Sequence, residues 1–243
     1  MLDRRPVDRL QAYIEAADFK GYDPYDALNS PILSGLSLGN KVLRIAFIQL
    51  LKRLPVNLRP LLFVKKHYNP KGLGLFLWGY AKLYQIEKKP EFLQKIRYLL
   101  GLLNSLKSSG YSGHCWGYNF DWQSRAFFLP KYTPTVVNSS FIGHALIDAY
   151  EHTGIEEALE LAIPVKDFIL NDLNRYKENG TICFSYSPRD HYFVHNANLL
   201  GASFLIRLCS FAGDSDLKKL ALSSLAYAIK HQREDGSWFY AEK

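Results

Sequence analysis

Apolar residues along this chain fall into two kinds of stretch that alternate. One kind is apolar nearly all round and rich in small residues: Gly72, Gly74, Gly79 and Ala81; then Ser139, Ser140, Gly143 and Ala145; then Ala197, Gly201, Ala202 and Ser203. A helix with that surface is buried on more than one side. The other kind carries a single apolar stripe at helical spacing: Phe92, Ile96, Leu99, Leu100 and Leu103; then Leu159, Ala162, Val165, Ile169 and Leu173; then Leu217, Leu220, Ala221, Leu225 and Ile229. Helices of that kind cover a core with one face and meet solvent with the other.

The alternation has a period, and three segments follow one plan: Gly72 to the Trp116 region, Val136 to Tyr186, and Asn196 to Tyr240. Each reads as a buried helix, a short polar turn, an amphipathic helix and an aromatic loop. Gly154 and Gly213 suit the left-handed residue that ends a helix, and Pro90 suits the start of the next one. Buried helices wrapped by amphipathic ones form an α/α toroid, an architecture that buries both helix types together.

The pattern therefore predicts an all-α fold, a single α/α-toroid domain over 1–243 made of repeated helical hairpins. A further helix is expected over Val7–Phe19, and Lys41–Arg53 reads as another inner helix. About eight helices make four hairpins, against six in a closed ring. The chain stops just after Gly236-Ser237-Trp238-Phe239-Tyr240, where another hairpin is due, so the expectation is an incomplete ring or a shortened product. An open edge of that kind would favour pairing of two copies into a homodimer.

The topology also sorts the loops. Short turns join inner to outer helices at one end, so the long connections 108–138 and 174–195 and the tail from Gln232 are expected together at the other. The stretch Gly21–Asn40 is expected to open there too.

Bulk properties narrow the function. The formal charge is +7, yet the basic residues are spread out, with only the pairs Lys65-Lys66, Lys88-Lys89 and Lys218-Lys219 side by side. Nucleic-acid binders concentrate charge on one element, so nucleic acid is not the expected partner. Cys115, Cys183 and Cys209 are odd in number and widely spaced, which indicates neither a disulfide framework nor a metal site. No cofactor is implied. No apolar run reaches the roughly 18 residues of a membrane span and the N-terminus has no apolar leader core, which together point to the cytoplasm.

The chemistry concentrates in the long loops. The first holds His114-Cys115-Trp116-Gly117-Tyr118-Asn119-Phe120-Asp121-Trp122-Gln123-Ser124-Arg125, and the second holds Tyr186 and Arg189-Asp190-His191-Tyr192. Flat aromatic faces stack on the C–H faces of sugar rings, while Asp, Asn, Gln and Arg bond hydroxyls. Trp116, Tyr118, Asn119, Trp122, Gln123, Arg125, Tyr186, His191 and Trp238 are accordingly the candidate glycan-binding residues. Glycosidic hydrolysis needs two carboxylates. Asp121 leads, because flanking by Phe120 and Trp122 would partly bury it and raise its pKa; Asp23, Asp26 and Asp190 are candidate partners. A uronate lyase or epimerase would instead draw its base from Tyr118, Tyr186, His114 or His191, with Arg125 on a sugar carboxylate. Asn196 reads as a helix cap, and His144, on a predicted helix, as a packed histidine rather than a catalytic one.

The phrases Tyr22-Asp23-Pro24-Tyr25-Asp26-Ala27-Leu28-Asn29-Ser30-Pro31, Asn57-Leu58-Arg59-Pro60, Tyr68-Asn69-Pro70-Lys71-Gly72-Leu73-Gly74 and Trp116-Gly117-Tyr118-Asn119-Phe120-Asp121-Trp122-Gln123 resemble a poorly characterised family found with polysaccharide-biosynthesis genes. That family is similar to the six-hairpin α/α-toroid group of glycoside hydrolases, uronate lyases and glucuronyl epimerases. The resemblance implies the toroid fold and, by analogy, a carbohydrate-active protein binding an oligosaccharide or polysaccharide; a non-catalytic glycan-binding or assembly protein is the alternative. Separately, Gln232-Arg233-Glu234-Asp235-Gly236-Ser237-Trp238 is similar to the structural Gln-to-Trp motif of triterpene cyclases, whose catalytic acidic run this chain lacks.

Overall fold

The computed structural model describes residues 4–242. The chain forms two compact units, one of residues up to Leu73 together with Tyr118–Lys131, the other of Gly74–Gly117 and the residues from Tyr132 onward.

The first unit opens with α1 (Arg5–Ala16), started by a proline at its first turn. It ends three residues short of the expected Phe19, because Asp18 and Phe19 take left-handed conformations, φ 49° and 56°, that turn the chain away. A 3₁₀ turn, Asp26–Asn29, leads into α2 (Pro31–Leu36), capped by the Ser30 hydroxyl, which accepts from the Leu33 amide. Next comes α3 (Lys41–Arg53), capped by Asn40. Only Ile48 and Leu51 of α3 are buried, so it is amphipathic rather than the buried inner helix its apolar content suggests. Those two residues pack with Ala27 and Leu28, and around them sit Tyr25, Leu58, Leu62 and Phe128. Phe128 belongs to a two-stranded ladder, β1 (Trp122–Gln123) against β2 (Phe128–Leu129).

The second unit holds the hairpin repeat. Its helices are α4 (Pro70–Glu87, beginning in the first unit), α5 (Pro90–Ser105), α6 (Val136–Thr153), α7 (Glu156–Ala162), α8 (Val165–Asn171), α9 (His195–Ala212) and α10 (Ser215–Lys230). Among the described residues there are ten α-helices rather than about eight. Part of the difference is one outer helix split at Ile163–Pro164, because a proline inside a helix lacks the amide and crowds the preceding turn. No described helix is long and apolar enough to cross a membrane.

The alternation read from sequence is realised. In α6, thirteen residues from Val136 to Ala149 are buried on all sides; α5 buries one stripe, Phe92, Ile96, Leu99, Leu100 and Leu103. The left-handed glycines stand where expected, Gly154 at φ 69° closing α6 and Gly213 at φ 63° closing α9. Small residues in the buried helices let them approach. A Cβ built on Gly143 would lie 2.4 Å from the ring of fully buried Phe204 on α9. Gly143→Ala is therefore expected to force α6 and α9 apart, at a cost of about 1–3 kcal/mol, read by denaturant unfolding; an unchanged midpoint would mean that the helices part freely.

Within this unit the loops gather at the amino ends of the buried helices. The Thr135 amide donates to Trp116 O and the Val136 amide to Tyr186 O. The tail pairs β6 (Ala241–Glu242) with β5 (Phe193–Val194), just before α9. Strands β3 (Arg175–Glu178) and β4 (Thr181–Phe184) form a hairpin inside the second long loop. The Gln232 to Trp238 segment folds back on α10, the Trp238 indole donating to Ala228 O at 2.7 Å and the Gln232 amide to Gly236 O at 2.9 Å.

Candidate functional site

In the first unit the chemistry collects around the turn Tyr22–Asp26. Gly21 and His67 exchange backbone hydrogen bonds at 3.1 Å, which lays this turn alongside Tyr68-Asn69. Aspartate folds such turns by accepting from amides nearby: Asp23 Oδ1 accepts from the Tyr25 amide at 2.9 Å, and Asp26 Oδ2 from the Asp23 amide at 3.0 Å. Asn69 does two jobs. Its carbonyl caps α4 by accepting from the Lys71 amide at 3.1 Å, and its amide donates to Asp23 Oδ2 at 3.0 Å.

The two neighbouring carboxylates have different fates. Asp26, 3% exposed, is an ion pair with Arg59 at 2.7 Å, so it anchors the turn and is not available for catalysis as expected. Asp23 is half-buried. Burial raises its pKa, against the Tyr25 amide, and the Asp26 charge raises it further, while Arg59 and Asn69 pull it back. Lys71, within electrostatic reach, has its pKa lowered by burial. A carboxyl shifted upward beside an ammonium shifted downward is a pair suited to proton transfer. More cations surround it: Arg59 and Lys66 lie 5.6 and 5.8 Å from the Tyr22 ring, and Lys52 lies 4.3 Å from that of Tyr25.

Aromatic rings stand beside this turn. Trp122 meets Tyr25, Tyr118 and Phe127 edge to face at 6.4, 6.0 and 5.7 Å, and Tyr118 stacks on Phe120 at 5.0 Å. Asn119 joins them through its carbonyl, which accepts from Asn29 at 3.3 Å. Asp121 is half-buried, and its carboxylate accepts from the Lys131 amide at 2.7 Å. Gln123, read as a ligand, is 7% exposed and gives its amide to Ser124 O and Phe127 O, closing its own hairpin. Arg125 is exposed at the hairpin tip.

In the second unit, burial corrects several expectations. Trp116 is fully buried and its indole donates to Leu103 O at 2.8 Å, so it is a core anchor with no free face for a sugar. Tyr186, 6% exposed, is likewise packed. Asp190, 4% exposed, organises the second loop, accepting from the Ser187 hydroxyl at 2.5 Å and the Tyr192 amide at 3.0 Å; burial raises its pKa against those bonds. His191 and Trp238 are exposed. Asn196 is exposed and caps nothing; the cap position of α9 is Val194. Among the described residues no group of three His, Cys, Asp or Glu is placed to hold a metal.

Sequence reasoning missed a polar cluster on the buried helices themselves. Asp148 of α6, with a side chain 5% exposed, accepts from the Trp78 indole and from Lys82, both at 2.6 Å, and pairs with Arg207, which also pairs with Glu151 at 2.5 Å. Burial pushes the Asp148 pKa up, but the bonds from Lys82, Arg207 and Trp78 outweigh it and leave the carboxyl below its usual range. One turn earlier, His144 stacks on Trp78 at 6.2 Å and meets Phe204 edge to face at 5.8 Å. Burial, then Arg207, hold its pKa at about 4. Three helices, α4, α6 and α9, are thus tied through one carboxylate. A lone aspartate in an otherwise apolar helix, four residues from a histidine on either side, was the available signal.

No family model matches the sequence, and no curated protein matches it. Solved structures do. A D-mannose isomerase is 14% identical with a TM-score of 0.55, covering 90% of this chain and 62% of that one. A polysaccharide lyase is 13% identical with a TM-score of 0.54, covering 90% and 63%. Cellobiose 2-epimerase from Bacillus thermoamylovorans is 14% identical with a TM-score of 0.53, covering 90% and 64%. The chain spans less than two thirds of the length of each. All three are α/α toroids built from helical hairpins, and this chain has the α/α-toroid fold.

Proposed function

We propose that this is a carbohydrate-active protein of polysaccharide biosynthesis or processing, which binds an acidic glycan beside Asp23 and acts on it by hydrolysis, elimination or epimerisation. The observation that carries the reading is the half-buried Asp23 carboxyl, its pKa raised, set among Asn69, Lys71 and Arg59. A carboxyl raised in this way by burial is the kind of proton donor or acceptor that sugar chemistry uses. The cations Lys52 and Lys66 favour a sugar carboxylate, and the Tyr25, Tyr118 and Trp122 rings offer the apolar half of a sugar site. The three structural relatives reported above are each named for work on a carbohydrate. Asp121 is the second carboxylate in this reading.

The test is a panel of uronic-acid and neutral oligosaccharides followed for both binding and product. Asp23→Asn is expected to lower turnover by about 10²–10⁴-fold, the usual contribution of a general acid or base, while binding stays within a few-fold of the parent. Turnover undiminished in Asp23→Asn would remove Asp23 from the chemistry. The alternative, a non-catalytic glycan-binding or assembly protein, is favoured by the engagement of both Asp121 and Asp190 with backbone amides. It predicts binding with no product from any member of the panel, unaffected by Asp121→Asn.

A further inference from the structure

The loop that follows α5, residues 107–114, arches over a polar pocket of about 400 Å³ made wholly of second-unit residues, with Pro164 at the break between α7 and α8 as its far wall. We propose that this pocket binds a small oxyanion, either a phosphate or the carboxylate of an acidic sugar, on the ammonium of Lys107.

The protonation of His114 sets the character of the pocket. Its Nδ1 lies 3.1 Å from the Leu161 carbonyl, an acceptor only, so Nδ1 carries the proton. Nε2 is then a lone pair, and it accepts from Lys107 Nζ at 3.1 Å. Burial, and after the opposing Leu161 bond the Lys107 charge, lower the His114 pKa, which keeps the ring neutral. Lys107 is thereby aimed by a neutral partner rather than an acidic one. No carboxylate pairs with it among the described residues.

The carboxylates nearby are otherwise engaged. Asp172 accepts from the Ser112 amide at 2.8 Å and the Ser112 hydroxyl at 3.1 Å. Asp167, felt by His114, has Lys166 at 3.9 Å. Arg189 adds a second positive charge in reach of Tyr111. Ser109 and Tyr111 line the pocket beside Lys107, and the amides of Ser109, Gly110 and Tyr111 take no protein acceptor among the described residues. A cation with uncommitted N–H and O–H donors in one concavity is the chemistry that holds an oxyanion.

The experiment follows the His114 ring resonances of the full chain while inorganic phosphate, glucuronate or glucose is added through the millimolar range. Phosphate, glucuronate or both are expected to shift them saturably, and glucose not at all. A response to one oxyanion alone identifies the source. Lys107→Gln can still donate to Nε2 and preserve the loop, and it is expected to weaken the binding about tenfold, the worth of one charge-assisted hydrogen bond. The proposal is overturned if neither oxyanion gives a saturable shift, if glucose matches them, or if Lys107→Gln binds as tightly as the parent.

Discussion

Asp148→Ala is expected to cost about 3 kcal/mol of folding stability at neutral pH, the lower part of the range for breaking a buried ion pair by removing one partner. Three donors from two neighbouring helices converge on this carboxylate, and its side chain is 5% exposed. Truncation leaves the Trp78 indole without its acceptor, which is the part of the loss that water cannot repair. Lys82 is 50% exposed and Arg207 26%, so both cations recover solvation, which is why the upper part of the range is not expected. Asp148→Asn keeps an acceptor for the indole and should fall between the two. For a chain of this size about 3 kcal/mol corresponds to a fall of roughly 6–12 °C in melting temperature. Chemical and thermal unfolding read both variants; a loss below about 1 kcal/mol would place this cluster among ordinary surface ion pairs.

A comparable effect is expected from acid alone. His144 has a folded pKa of about 4 against an ordinary 6.5, because burial, and then Arg207, oppose its charge. The unfolded chain binds a proton that the folded chain refuses, so stability falls as pH drops below about 6.5 and the loss is complete near pH 4. At 1.36 kcal/mol per pKa unit the difference amounts to about 3 kcal/mol. Asp148 acts in a separate window. Its carboxyl is held below the ordinary 3.8, so its contribution persists through this range and is lost only as pH falls further, through the lowered value. Urea midpoints measured at intervals from pH 7 to 4 should decline in the parent and run flatter in His144→Leu. Parallel curves for the two proteins would assign the acid sensitivity to other groups.

The hairpins were readable because their burial is periodic. The all-round apolar character of 136–149 and the single stripe of 92–103 are properties of composition at fixed spacing, and the structure repeats them. The burial of Trp116 and Tyr186 was harder to read. Trp116 and Tyr186 sit in segments as rich in polar residues as Tyr118 and Trp122 do, yet the former two are enclosed and Tyr118 and Trp122 lie partly open. What separates them is long-range: Trp116 is reached by the Leu103 carbonyl thirteen residues earlier, a pairing that no local pattern encodes. The partners of Asp121 were hidden for a related reason. Its flanking aromatic residues pointed to the partial burial it has, but not to the Lys131 amide, ten residues on, that its carboxylate accepts from. Asp23 and Asp26 stood as equal candidates in the sequence, and their distinction depended on which of the two Arg59 would claim. Asp148 and His144 escaped attention as chemistry because polar groups were sought in loops, whereas the low dielectric of a packed helix is where such groups matter most.

The proline that splits one outer helix does more than bend it. By interrupting the ladder it leaves the Leu161 oxygen on the wall for the His114 ring of the preceding repeat, while the His114 amide shares Pro164 O, at 3.2 Å, with the Asp167 amide. Adjacent repeats in such arrays ordinarily communicate through apolar contact alone. Here a main-chain and a side-chain stitch join them as well, so the second hairpin cannot fray without loosening the loop of the first. Amide exchange in 107–114 should therefore keep pace with exchange in α7 and α8, the two segments opening as a single cooperative element.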